Sequence, residues 1–161
     1  MSGAVYIIAA VVLIFGLVIV RGAPYLPTTR AQIDAAFELL DLKRGQRLLE
    51  LGAGDGAVAL EALRRGYRVT AIELNPLLCL VIWFRTRRYR HRIKIKCGDF
   101  WTTNWGGYDA IYTFLLQKYM TKLDKKIIQQ NKSVKLASFA FTIPGRIPTH
   151  KKDGVYLYIF E

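Results

Sequence analysis

The chain has 161 residues, about the length of one domain, and 52% of them are hydrophobic. That composition excludes an intrinsically disordered protein, and two cysteines with two histidines exclude a disulfide framework or a zinc cluster. The net charge of +12 is concentrated in residues 81–161, which have 16 Lys/Arg against 5 Asp/Glu, so this half predicts a surface for nucleic acid, anionic lipid or an acidic partner.

The chain opens with an apolar segment. Residues 4–20 contain no charged or strongly polar side chain, and the first three residues extend the uncharged stretch to 20 residues, enough for a helix about 30 Å long. No polar stripe interrupts the segment, as it would in a buried core helix. A cleaved signal peptide is the alternative, but there is no basic region before the apolar run and no small-x-small cleavage pattern after it.

We therefore predict a transmembrane anchor over residues 1–22 and a globular domain over residues 23–161. The first basic residues, Arg21 and Arg30, follow the anchor. The positive-inside rule then predicts a single-pass membrane protein with its globular domain in the cytoplasm, and the lipid bilayer as a partner.

A capped amphipathic helix comes next. Thr29 and Gln32 have the spacing of a capping box, and apolar residues recur at i, i+3, i+4 and i+7 from Ile33, so the helix is predicted to run to about Asp41.

Short strands then alternate with helices. The predicted strands are 47–51, 68–74, 93–97, 109–116, 134–143 and 154–160. The predicted helices are 57–65, stopped by Gly66, a second that starts at Asn75-Pro76, and a third over about 121–130. This alternation predicts a Rossmann-like, doubly wound α/β fold with a mostly parallel sheet.

A glycine-rich loop follows the first of these strands. Its sequence is Gly52-Ala53-Gly54-Asp55-Gly56, and Glu73 ends the next strand 21 residues after the first glycine. In open α/β sheets a ligand lies at the carboxyl ends of the strands, where glycines allow close approach and a terminal acid accepts from both ribose hydroxyls. A tight structural turn is the alternative, but Glu73 in this register favours an adenosine-type cofactor.

The loop also meets the dinucleotide pattern nominally, with Ala57 in the last position. Glu50, two residues before the first glycine, makes less sense beside a pyrophosphate, because two negative charges repel. The stretch from Glu50 to Gly56 more closely resembles the first motif of class I S-adenosylmethionine-dependent methyltransferases. Gly98-Asp99-Phe100 after the third strand resembles the next element of that superfamily.

The resemblance to class I methyltransferases implies roles for individual residues. Glu50 would help to position the methionine ammonium group, Asp99 would reach the adenine amino group, and Phe100 would cover the ring. The implied cofactor is S-adenosyl-L-methionine. The complete set of predicted cofactor-binding residues is Glu50, Gly52, Ala53, Gly54, Asp55, Gly56, Glu73, Leu74, Asn75, Gly98, Asp99 and Phe100.

A narrower resemblance covers roughly residues 23–161. The residues that support it are Pro24-Tyr25-Leu26-Pro27-Thr28, Glu73-Leu74-Asn75-Pro76, Tyr112-Thr113-Phe114-Leu115-Leu116 and Phe141-Thr142-Ile143-Pro144. In order and spacing these resemble the family named for the ATP synthase c-subunit lysine N-methyltransferase, which implies a protein-lysine substrate. That family usually has Arg where this chain has Ala57, and commonly Pro where it has Gln117.

A lysine nucleophile must lose its proton against an ordinary pKa of about 10.4. A dry channel lined by carbonyls and hydroxyls would favour the neutral amine, and no dedicated base is required. The residues predicted to line it are Tyr25, Thr28, Thr113, Phe114 and Gln117. For Tyr25 and Thr28 a helix-capping role is the alternative, and for Phe114 a place in the core.

The sequence argues against nucleic acid as the substrate, since the Asn/Asp-Pro-Pro-aromatic motif is absent after the fourth predicted strand. Cys79 and Cys97 are predicted to be core residues, and no metal site is expected. The basic stretch 85–96 has seven Lys/Arg after an apolar helical segment. It is interpreted as a solvated helix end, as a surface for anionic headgroups, or as an RNA-binding surface.

Three functions remain open on these grounds. The first is a membrane-anchored protein-lysine methyltransferase that acts on a membrane-associated protein. The second is an enzyme that methylates a lipid or a small hydrophobic molecule. The third is a cofactor-binding membrane module without catalysis, which the departures at Ala57 and Gln117 would explain.

Overall fold

The computed structural model of the chain describes residues 28–131 and 133–161, together with Gly3, Val5, Tyr6 and Ala9. Most of the predicted anchor therefore lies outside the described residues. Over the residues that are described, no helix has both the length and the apolar character needed to cross a bilayer. The helices of the globular part have at most 11 residues, about 16 Å at 1.5 Å per residue. This finding overturns the predicted single-pass membrane localisation.

A seven-stranded sheet forms the centre of the described chain, with strand order β3-β2-β1-β4-β5-β7-β6. Strands β1 to β5 are parallel to one another, and β7 is antiparallel to both β5 and β6. The strands are β1 Arg47–Leu51, β2 Arg68–Glu73, β3 Ile93–Cys97, β4 Ala110–Thr113, β5 Val134–Phe139, β6 His150–Lys152 and β7 Val155–Phe160. The prediction of a doubly wound, mostly parallel α/β fold is confirmed.

Strands β4 and β5 are shorter than predicted. After β4 the chain enters a 3-10 turn at Gln117–Tyr119, and β5 ends where Ala140 adopts a left-handed φ of 67°. The sequence does not predict strand β6, because all three of its residues are polar and exposed. It forms through a tight hairpin with β7, in which Asp153 and Gly154 have φ of 46° and 78°, the positive values that such turns require.

Over residues 28–131 and 133–161, the helices that flank the sheet are α1 Arg30–Leu40, α2 Ala57–Arg64, α3 Pro76–Thr86 and α4 Met120–Gln130. The predicted helix signals act locally as expected. The Thr29 amide donates to Gln32 Oε1 at 2.8 Å, and Asn75 Oδ1 accepts from the Leu77 amide at 2.9 Å with Pro76 in the first turn.

The core has two layers, one on each face of the sheet. Helices α1 and α2 with Ile82 of α3 cover one face, whereas α4 and a group of aromatic side chains cover the other. Trp105 is fully buried in that second layer, and its Nε1 donates to the Phe100 carbonyl at 2.9 Å. Strand β1 lies between β2 and β4. The chain adds β2 and β3 on one side of β1 and then crosses to the other side to add β4, so the strand order reverses at β1. A ligand crevice is expected at the carboxyl ends of these strands.

Candidate active site

The glycine loop turns sharply at the carboxyl end of β1. Gly52, Gly54 and Gly56 have φ of 74°, 57° and 77°, which only glycine adopts without strain. The amides of Gly52 and Ala53 both donate to the Ile72 carbonyl, at 2.9 and 3.0 Å, so the loop is fixed to β2. A Cβ added at Gly52 would meet no atom within 4 Å. The backbone therefore borders open space that a ligand can occupy.

Glu73 joins β2 to this loop. Its Oε2 accepts from the Gly54 amide at 2.8 Å and its Oε1 accepts from the Asn75 amide at 2.9 Å, while the residue is 7% exposed. A carboxylate oxygen can accept more than one hydrogen bond, so these contacts leave capacity for ribose hydroxyls. Glu73 therefore also stabilises the conformation of the glycine loop.

Glu50 is buried on β1 directly before the loop. It is 2% exposed, and its Oε2 has no hydrogen-bond partner. Burial raises the pKa of the Glu50 carboxyl well above its ordinary value, and the nearby carboxylates of Asp55 and Glu73 raise it further. Such a group favours a cationic partner, which would let the carboxyl ionise.

Tyr112 of β4 lies opposite Glu50 in the register of the two strands. It is 3% exposed and its hydroxyl has no hydrogen-bond partner. Burial raises the pKa of Tyr112, an effect that the nearby Thr28 hydroxyl partly offsets. Sequence reasoning missed Tyr112 as a site residue, since the pairing of β1 with β4 joins segments about sixty residues apart.

Asn75 is the third buried residue with an unpaired polar atom, its Nδ2. It caps α3 directly after β2, and Leu74 beside it is half-buried. The unpaired atoms of Glu50, Tyr112 and Asn75 therefore all belong to residues at the carboxyl ends of β1, β4 and β2. Buried polar atoms are normally satisfied, so three orphans near one end of the sheet indicate a polar ligand.

The segment after β3 completes this edge of the sheet. The Gly98 amide donates to the Glu73 carbonyl at 2.8 Å, and Asp99 Oδ1 accepts from the Trp101 amide at 2.8 Å. Phe100 is half-buried, with its ring centroid 4.9 Å from that of Trp101. The predicted acid and aromatic residue thus directly follow Gly98, whose amide is bonded to the end of β2.

An ion pair that the sequence did not reveal holds the outer side of the loop. Arg85, near the end of α3, contacts the Asp55 carboxylate, and its Nη1 also donates to the Asp55 carbonyl at 3.0 Å. Asp55 Oδ1 in turn accepts from the Ala57 amide at 3.2 Å at the start of α2. The two residues are 30 positions apart, so no local signal identifies the pair.

The residues predicted to line the substrate channel lie in different surroundings in the structure. Tyr25 lies outside the described residues. Thr113 is buried, and its hydroxyl donates to the Leu51 carbonyl at 3.4 Å. Phe114 packs edge-on against Phe139, with ring centroids 4.6 Å apart.

Gln117 lies in the 3-10 turn after β4, where its Nε2 donates to the Thr142 carbonyl at 3.0 Å. Phe141 stacks on Phe114 at 6.4 Å. Together with Phe139, these residues bring the segments that follow β4 and β5 into contact. Half-buried Thr28 lies at the start of α1, near Tyr112.

The two cysteines differ in burial. Cys79 is buried in α3, 3.3 Å from the Glu73 carbonyl, as predicted. The core prediction is wrong for Cys97, which is exposed because it ends the edge strand β3. Within residues 28–131 and 133–161, no group of three or more His, Cys, Asp or Glu side chains could hold a metal ion.

Comparison with known proteins places this site in a family. The family described as the ANTKMT methyltransferase domain matches residues 50–150. The ATP synthase c-subunit lysine N-methyltransferase of Homo sapiens is 28% identical over 133 residues, with 79% of this chain and 55% of that protein covered. The Xenopus laevis protein of the same name is 26% identical, with 79% and 57% covered. The chain thus spans about half the length of these two curated relatives.

Solved structures agree with the fold. The RNA methyltransferase of Salinibacter ruber in complex with S-adenosyl-L-homocysteine superposes with a TM-score of 0.77 at 23% identity, covering 84% of this chain and 92% of that one. At this identity the likeness shows the fold alone. The family match includes the glycine loop, Glu73 and Asp99, and it confirms the resemblance inferred from the sequence. The chain belongs to the ANTKMT methyltransferase domain family.

Proposed function

We propose that this chain transfers a methyl group from S-adenosylmethionine to the side-chain nitrogen of a lysine in a protein substrate. The observation that carries the proposal is the buried Glu50 carboxyl with its unpaired Oε2, directly before a glycine loop that borders open space. The lysine substrate is supported by the names of the relatives from Homo sapiens and Xenopus laevis. The proposed catalytic domain is residues 23–161.

The residues at this edge fit the cofactor chemically. Glu50 is suited to an ammonium group, which would satisfy its unpaired oxygen and let the carboxyl ionise. Glu73 is suited to the two ribose hydroxyls, and Asp99 with Phe100 to the adenine amino group and ring. The glycine loop leaves space for close backbone approach. When bound, the cofactor supplies an electrophilic methyl group on a sulfonium.

The task of the protein is then to align a neutral lysine amine and to exclude water. The aromatic group of Phe114, Phe139 and Phe141 lies at the carboxyl ends of β4 and β5, the same edge of the parallel sheet to which the glycine loop belongs. Apolar walls disfavour the ammonium form of lysine, so its pKa falls as it enters. The Gln117 carboxamide, in the turn after β4, would orient the free amine. The Thr113 hydroxyl is already bonded to the Leu51 carbonyl, so it stabilises the sheet end.

The experiment is methyl transfer from tritiated S-adenosylmethionine to a lysate of cells that lack this protein, followed by separation into protein, RNA and organic extracts. We expect label in a protein band, with mass spectrometry locating the methyl group on lysine. Glu73→Ala should abolish the label. The matched control is Glu38→Ala, which removes an exposed carboxylate that pairs with Lys152. Label in RNA or in the organic extract would contradict a protein-lysine substrate.

A further inference from the structure

Helix α3 exposes large apolar side chains on the surface of the protein. Its inner face is formed by Cys79, Ile82 and Thr86, which are buried against the sheet and the glycine loop. Its outer face consists of Leu80, Val81, Trp83 and Phe84, whose exposed fractions are 62%, 40%, 59% and 59% respectively. Scattered apolar side chains are ordinary on a surface, whereas four within five consecutive residues form a patch that indicates an interaction site.

The patch is surrounded by positive charge. Residues 74–98 contain seven Lys/Arg and no Asp/Glu. Arg87, Arg88 and Arg90, directly after α3, are all exposed, and the Arg87 guanidinium lies 4.4 Å from the centroid of the Phe84 ring. Lys94 is exposed on β3, the edge strand against which α3 packs. Of the seven cations, Arg85 pairs with Asp55 of the glycine loop. Among the described residues, Arg87, Arg88, Arg90 and Lys94 take part in none of the ion pairs.

We propose that this surface, made up of Leu80, Val81, Trp83, Phe84, Arg87, Arg88 and Arg90 and here termed the α3 face, rests on an anionic lipid surface. A helix with large apolar side chains beside arginines lies in the plane of a lipid interface, with its apolar face at the acyl boundary and its cations at the phosphates. Such a contact is parallel to the surface and requires no spanning segment. It goes beyond the proposed function, which names no lipid.

Other occupants fit less well. A second copy of the chain would place two sets of arginines against each other across a two-fold axis, and these like charges repel. An RNA strand would use the cations and the Trp83 ring, but the aliphatic Leu80 and Val81 offer neither stacking nor hydrogen bonds to bases. A lipid surface can contact both the apolar side chains and the arginines of the α3 face.

The test uses the full chain and vesicles with brominated acyl chains, which quench tryptophan fluorescence at the depth of the bromine. The signal from Trp83 is taken as the difference between the natural chain and Trp83→Phe, because Trp101 and Trp105 lie on the opposite face of the sheet. We expect Trp83 to be quenched by phosphatidylserine-containing vesicles and much less by phosphatidylcholine alone. Raising the salt concentration should weaken the quenching.

Two pairs of substitutions separate the contributions. Leu80→Ser with Phe84→Ser should abolish the quenching of Trp83. Arg88→Gln with Arg90→Gln should lower the partition coefficient by roughly fivefold per charge removed. The matched control is Ile147→Ser, which changes an apolar side chain that is 90% exposed on another part of the surface. Circular dichroism confirms that each variant is folded.

Three results would overturn the proposal. The first is an unquenched Trp83 on both kinds of vesicle, even where the chain sediments with them, because attachment then occurs through another part of the protein. The second is equal quenching on neutral and anionic vesicles. The third is loss of binding to an RNA oligonucleotide in the arginine variants while quenching by vesicles is unchanged.

Discussion

Glu50→Gln should weaken cofactor binding and at the same time stabilise the ligand-free protein. The substitution keeps the size of the side chain and removes its negative charge. A hydrogen bond to a charged group contributes about 1.5–3 kcal/mol, so loss of the bond between Glu50 Oε2 and the ammonium group predicts affinity lower by roughly 10- to 150-fold. Titration calorimetry with S-adenosylhomocysteine measures this effect.

The stability effect has the opposite sign and depends on pH. Because the pKa of buried Glu50 is raised in the folded protein, the folded state holds a proton that the unfolded state releases above the ordinary value of 4.5. The stability of the natural protein therefore falls as pH rises from 4.5 towards the raised pKa, by up to about 1.4 kcal/mol for each pH unit. The variant lacks this loss, so its advantage in urea unfolding should grow with pH over that window.

A suitable control is Glu38→Gln, because Glu38 is exposed on the surface. It should change neither the calorimetric affinity nor the pH dependence. If Glu50→Gln binds S-adenosylhomocysteine as tightly as the natural chain does, Glu50 does not bind the ammonium group. If the difference in unfolding free energy is the same at pH 5 and pH 8, burial does not raise the pKa of Glu50.

Three further predictions concern the loop and the core. Asp55→Asn and Arg85→Ala should each weaken cofactor binding by about two- to fivefold, as expected for a partly exposed ion pair. The double variant should bind no more weakly than either single variant, whereas additive losses in calorimetry would show that the pair does not act as a unit. Glu73→Gln should weaken binding more than tenfold, since its amide nitrogen would face a backbone N–H donor, and an unchanged affinity in a folded variant would remove Glu73 from the site. Trp105→Ala should cost about 3–5 kcal/mol in urea unfolding, because a fully buried ring and its hydrogen bond are lost, and a loss below 1 kcal/mol would contradict its place in the core.

The features that the sequence predicts correctly depend on local signals. The strand bounds 47–51 and 93–97 agree with the structure, because turn signals bound both short runs. Strand β1 is buried after Arg47, whereas edge strand β3 is only partly buried. The start of α3 follows from Asn75-Pro76, whose side chain and ring act within one turn of helix. The glycine loop is also predictable from the local sequence, because backbone positions with positive φ values favour glycine.

The features that the sequence does not predict depend on contacts between distant segments. The Arg85–Asp55 pair joins a helix end to the loop, and Tyr112 reaches Glu50 only because β4 pairs with β1. The two backbone amides that Glu73 binds are likewise visible only once β2 and the loop are in place. The roles of these residues toward the cofactor remain predictions.

The position of the cofactor can be determined from a crystal structure of the chain with S-adenosylhomocysteine. We expect the ligand at the carboxyl ends of β1 and β2, with its amino group within hydrogen-bond distance of Glu50 Oε2. Its ribose hydroxyls should lie on Glu73 and its adenine beside Asp99 and Phe100. A ligand bound elsewhere, or bound here with the Glu50 oxygen still unpaired, would contradict the account.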